Sequence, residues 1–127
     1  MNRNETTEED PIKLHREGTA LCDVGKYREA IDKFLEASKL YEKIQNFFDA
    51  SYTLYKAAEC SYLLKEYSTA IERFLKAADL AFKRGYDRFG ISALEYAHDC
   101  YKAAGEEEKA EELKKKIREL KENLPIL

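Results

Sequence analysis

From about residue 11 to residue 123, apolar residues recur at intervals of three and four, with charged residues filling the gaps. Ile71, Phe74, Leu75, Ala78 and Phe82 fall at i, i+3, i+4, i+7 and i+11, the spacing that gathers side chains on one stripe of an α-helix. Leu54, Ala57, Ala58 and Ser61 make a second stripe just upstream. Punctuation is sparse. Gly25 and Gly105 stand where a residue of positive φ ends a helix cheaply. Lys65 takes the same place between them, and Gly85 follows Lys83 and Arg84, cations suited to a last helical turn. Asp10-Pro11 reads as an N-cap with proline at the first helical position. The pattern predicts six helices paired into hairpins: about 11–24 with 27–44, 48–64 with 67–84, and 88–104 with 106–123.

The hairpins are near copies of one another. "YREAIDKFLEA" (Tyr27 to Ala37) returns forty residues later as "YSTAIERFLKA" (Tyr67 to Ala77). Leu14, Leu54 and Leu94 keep the same step, as do Ala30, Ala70 and Ala110. One hairpin of this length cannot bury its own apolar faces, but stacked copies share a continuous core. The expected fold is therefore all-α, with three antiparallel helix hairpins stacked in line. Small residues (Gly18, Ala30, Ala37; Ala58, Ala70, Ala77; Ala97, Ala110) mark the helix crossings. Phe34 and Phe74 are expected to be buried, and Lys114 replaces them in the third unit. Cys60 and Cys100 share a repeat position with Ala20, which predicts small buried residues at all three. The layout that follows is an acidic, disordered tail over 1–10, a repeat domain over 11–124 with repeats at about 11–46, 47–86 and 87–124, and a short apolar tail over 125–127.

These residues resemble the tetratricopeptide repeat (TPR). Leu14, Gly18 and Leu21 match that family's first helix, Gly25 its turn, and Tyr27, Ala30, Phe34 and Ala37 its second helix. The forty-residue step is longer than the family's usual repeat. The Ala-rich wording "YKAAECSYLLKEYSTAIERFLKAADLAF" is similar to that of the soluble NSF attachment proteins. The resemblance implies a right-handed solenoid whose first helices line a concave surface that binds extended peptides or partner helices.

Composition narrows the functional class. A net charge of -3 and a pI near 5.5 leave no basic face for nucleic acid. No apolar run is long enough to span a membrane. The three cysteines are odd in number and widely spaced, which suggests no disulfide framework and makes a reducing cytoplasm the expected location. No glycine-rich phosphate loop or nucleophile–base pair at workable spacing is present, so neither catalysis nor a cofactor is expected. In "HDC", His98 and Cys100 point about 200° apart on a helix, so the histidine cannot activate the thiol. His15 and Cys22 share a helix face but lie too far apart to hold a metal without further ligands.

The candidate site is peptide-binding. Tyr52, Tyr55, Glu59 and Tyr62 form a continuous helical face offset from the Leu54/Ala57/Ala58/Ser61 stripe, and Glu95 and Asp99 occupy matching ground in the third unit. Tyrosine offers rigid apolar area with a polar tip. The carboxylates favour a basic or amphipathic protein or peptide as partner. His15, Thr19, Lys56, Ser92 and Tyr96 do not supply the Lys/Asn/Arg set with which some TPR proteins clamp a C-terminal carboxylate. Two alternatives stand beside this reading. One is a homo-oligomer that self-associates through its exposed ends. The other is an adaptor resembling the soluble NSF attachment proteins, for which Phe47-Phe48 is the sole apolar membrane-facing candidate, although burial between repeats is the expectation for that pair. The last helix carries i,i+4 pairs Glu111/Lys115 and Glu112/Lys116 and reads as a solvated cap.

Overall fold

The structure, a computed structural model, describes residues 9–125. Most of the acidic tail and the last two residues of "LPIL" lie outside the described residues. Among the described residues six helices follow one another: α1 (Pro11–Asp23), α2 (Tyr27–Lys43), α3 (Phe47–Leu63), α4 (Tyr67–Lys83), α5 (Asp87–Ala103) and α6 (Glu107–Glu122). Each packs on the helix before it and the helix after it, giving three hairpins in a row. Asp10 caps α1, its carboxylate accepting from the Ile12 N–H at 2.9 Å, with Pro11 next in line. Asn46 caps α3 in the same way by accepting from Asp49 N–H.

The five turns share one geometry. Gly25, Gln45, Lys65, Gly85 and Gly105 all have left-handed φ, between 63° and 82°. In the first turn Gly25 N–H donates to the Cys22 carbonyl at 3.0 Å and Lys26 N–H to the Leu21 carbonyl at 2.8 Å. The same two bonds recur at 45/46, 65/66, 85/86 and 105/106. This is the Schellman arrangement, which satisfies carbonyls that a helix end would otherwise leave open. The second donor of each pair then starts the next helix. Its carbonyl accepts from a small buried residue four positions on: Ala30, Ala50, Ala70, Gly90 or Ala110. Lys65 adopts the expected conformation, and Gln45 joins it with no glycine to announce it. The turns repeat every twenty residues, at half the period of the sequence wording.

Helices of this length are marginal in isolation, so packing holds them. Phe34 and Phe74 are fully buried, and Lys114 at the same repeat position is exposed. Phe74 sits in the largest core cluster with Leu54, Ile71, Ile91, Leu94, Leu113 and Ile117, which ties the second hairpin to the third. Phe34 packs with Ala30, Ile31, Ala57 and Cys60 between the first two hairpins. Two glycines permit close approach: a Cβ on Gly18 would lie 2.7 Å from the Phe34 ring, and one on Gly90 2.8 Å from Phe82.

Three expectations fail. Ala20 is exposed while Cys60 and Cys100 are fully buried, because among the described residues no helix packs against the outer side of α1. Phe48 is 42% exposed, whereas Phe47 is half-buried with the Arg84 guanidinium 3.8 Å above its ring. Neither pair expected along α6 forms among the described residues. Instead Lys109 bonds Glu106 at 3.3 Å, and Lys121 reaches across to Glu95 at 2.7 Å. The chain then folds back: Leu124 packs on the core, and the Pro125 carbonyl accepts from Arg88 at 3.3 Å.

Candidate functional site

An aromatic row crosses the odd-numbered helices. On α3, Phe48, Tyr52 and Tyr55 lie one turn apart, with ring centroids 6.5 Å and 6.0 Å from one to the next. Phe89 of α5 touches all three at 5.7, 6.1 and 5.3 Å. Tyr86 closes one end against Phe48 at 5.2 Å, and Tyr96 meets Tyr55 at 5.4 Å at the other. His15 of α1 contacts Tyr52 at 5.7 Å. Most of these rings stay half-buried or exposed, and so form a floor of aromatic faces and edges.

The sequence-predicted residues separate into three groups. Tyr52 and Tyr55 join the row. Tyr55 also leans on Phe74 at 5.5 Å, which makes it a packing residue between repeats as well as part of the floor. Burial, with the neighbouring Tyr96 hydroxyl, pushes the Tyr55 phenol above its ordinary range. Tyr62 stands apart, 39% exposed and paired with Tyr67 of α4 at 5.7 Å. The carboxylates already have partners. Lys56 bonds Glu59 at 2.9 Å, Lys121 bonds Glu95 at 2.7 Å, and His98 lies 3.2 Å from Asp99. Glu95 and Asp99 line a groove of about 590 Å³ between α5 and α6, opposite Lys114, Arg118 and Lys121 and over Tyr96 and Ile117. Tyr96, which also stacks on Phe74 at 5.4 Å, links that groove to the aromatic row.

Phe89 and Tyr96 come from a neighbouring helix, where spacing along α3 does not place them, and Phe48, which shares the spacing of Tyr52 and Tyr55, reads from sequence as buried between repeats. A signal exists for two of them. At the twenty-residue step Phe89 occupies the position of Glu29, Asp49, Thr69 and Lys109, and Phe48 that of Arg28, Ser68, Arg88 and Glu108. Each is an aromatic at an otherwise polar helix position, but the turn period must be known first.

Cys100 is fully buried with its thiol pushed up to about 11 by burial, and His98 pairs with Asp99. His15 is held below the usual histidine value by burial, with the Asp49 carboxylate partly opposing. Among the described residues no three His, Cys, Asp or Glu side chains are grouped to hold a metal, and no helix is long and apolar enough to cross a membrane.

The geometry defines a TPR-like helical-repeat protein. Two solved structures of kinesin light chain TPR-like repeats from Podosopora anserina superpose on it with TM-scores of 0.71 and 0.70 at 16% identity. They match 87% of this chain, which spans 55% and 54% of their own lengths, about half of each. At that identity the likeness shows the fold. No curated protein sequence matches the chain. The soluble NSF attachment protein (SNAP) family matches residues 15–125. The chain belongs to that family, a family of helical-repeat adaptors.

Proposed function

We propose that this protein is a non-catalytic interaction module. It takes a helix or extended peptide of basic or amphipathic character across the concave face of α1, α3 and α5. Tyr52 and Tyr55, with Phe48 and Phe89, form the floor, and Glu59, Tyr62, Glu95 and Asp99 form the rim. The observation that carries this reading is the aromatic row joined across the boundary between the second and third hairpins. Rigid aromatic area of this kind supplies most of the energy at interface centres. The rim carboxylates contribute differently. A basic partner must displace Lys56 from Glu59 and Lys121 from Glu95, so these groups tune encounter and salt dependence more than affinity. A reducing cytoplasm suits the three free thiols.

Family membership favours one specific form of this role: an adaptor that attaches an NSF-type ATPase to its target. The test is capture from a cell extract, read by mass spectrometry, with wild type beside a Phe48→Ser/Tyr52→Ser variant. That pair spares Tyr55 and its contact with Phe74, so helicity and melting should stay near wild type. The variant should lose the partners that wild type retains, an NSF-type ATPase being the one the family favours. A folded variant that keeps every partner refutes the face as the site.

A further inference from the structure

We infer that Cys22 and Cys60 are an oxidisable dithiol, a modification site whose closure as a disulfide ties α1 to α3. Their sulfurs lie 3.1 Å apart with both thiols free, and bond formation needs an approach of only about 1 Å more. The two cysteines differ in access. Cys60 is fully buried in the cluster with Ala30, Ile31, Phe34 and Ala57, whereas Cys22 lies at its edge and is half-exposed. The nearby Lys56 ammonium and Glu59 carboxylate are bonded to each other at 2.9 Å and act on Cys60 with opposite sign. Exposure is what an oxidant needs first, and of the two only Cys22 offers it. Cys100, buried on α5, makes no such thiol–thiol contact among the described residues.

The roles follow from access. Cys22 gives up its proton and attacks hydrogen peroxide: the S–O bond forms, the O–O bond breaks, and the departing hydroxide takes up that proton as water. The Cys60 sulfur then attacks Cys22, forming S–S and breaking S–O, and its proton departs with the hydroxyl as water. With hydrogen peroxide as oxidant, two thiols and one peroxide give one disulfide and two waters. Burial, together with the bond to Cys22, holds the Cys60 thiol up at about 12, so its attack relies on the 3.1 Å separation of the two sulfurs and not on a ready thiolate. The closed bond fixes the spacing of the first two odd-numbered helices, to which His15 and Tyr52 belong.

Exposure of the purified full chain to equimolar hydrogen peroxide tests this. Thiol titration under denaturing conditions should fall from three per chain to one, with Cys100 the survivor. Intact mass should drop by two hydrogens, and a non-reducing peptide map should join Cys22 to Cys60 within one chain. In Cys60→Ala, Cys22 should instead accumulate as a sulfenic acid trapped by dimedone. The proposal is overturned if all three thiols persist. It is equally overturned if Cys22 becomes a sulfinic acid while Cys60 still titrates, or if the bond links two chains or involves Cys100. The peptide map uses wild type alone, so it stays decisive even if Cys60→Ala misfolds.

Discussion

Replacing Gln45 and Lys65 by glycine should stabilise this protein. Both residues hold φ near +64°, a conformation that costs an L-residue roughly 1–2 kcal/mol. Glycine removes that penalty but has more freedom to lose on folding, worth about 0.5–1 kcal/mol. Both side chains are exposed, and neither makes a hydrogen bond or ion pair among the described residues, so truncation loses little else. The net gain is about 0.5–1 kcal/mol at each site. The two turns flank α3, which at 17 residues is roughly 25 Å long, so the gains should add. The double variant should gain about 1–2 kcal/mol, roughly 4–8 °C in melting temperature for a chain of this size. The mirror experiment calibrates it. A Cβ on Gly85 would meet nothing within 4 Å, so Gly85→Lys isolates the backbone penalty and should cost what Lys65→Gly gains. Urea unfolding followed by far-UV circular dichroism, at unchanged m-value, gives the comparison. Loss of stability in either glycine variant, or a neutral Gly85→Lys, refutes the reasoning.

Gly18→Ala should destabilise by about 1–2 kcal/mol despite alanine's better helix propensity, because its Cβ would lie 2.7 Å from the fully buried Phe34 ring. Phe34→Leu in the Gly18→Ala background should recover part of that loss in the same urea assay. His15 gives a pH effect of definite sign. Burial lowers its folded pKa below 6.5, with Asp49 opposing and Lys56 adding to the shift, so on acidification the unfolded chain takes up the proton first. Its contribution to stability is intact above about pH 6.5, falls as pH drops through the lowered folded value, and then levels off. His15→Gln should flatten that part of a melting-temperature profile.

Phe34, Phe74 and Lys114 show why the architecture was legible from sequence: one repeat position, two buried rings, and an exposed charge on the last described helix. Burial imposes such patterns, and hydrophobic spacing reports them directly. The turn at Gln45 was not legible, because its side chain carries no left-handed signal and only the register with Gly25 and Lys65 marks it. The candidate face was legible in part. Helical spacing put Tyr52 and Tyr55 on one surface, but it is blind to what a neighbouring helix contributes, and so it missed Phe89 and Tyr96. It also grouped Tyr62 with them, although that ring turns toward Tyr67. The nearness of Cys22 to Cys60 is a contact between helices that no intrahelical spacing contains.

The twenty-residue turn sets a parity rule on how such a chain can grow. Turns inside a hairpin and turns between hairpins are the same object, so no loop records which helix is odd and which is even. That information lies only in the side chains. Insertion or deletion of one helix with its turn preserves every local bond, yet reverses the direction and the facing of all that follows. The Phe89 ring would be carried to the outer wall, and Ile71 and Phe74 would be offered to the wrong neighbours. Length can therefore change in steps of two helices without scrambling the core, and a change by one should leave sound turns joined to mismatched faces.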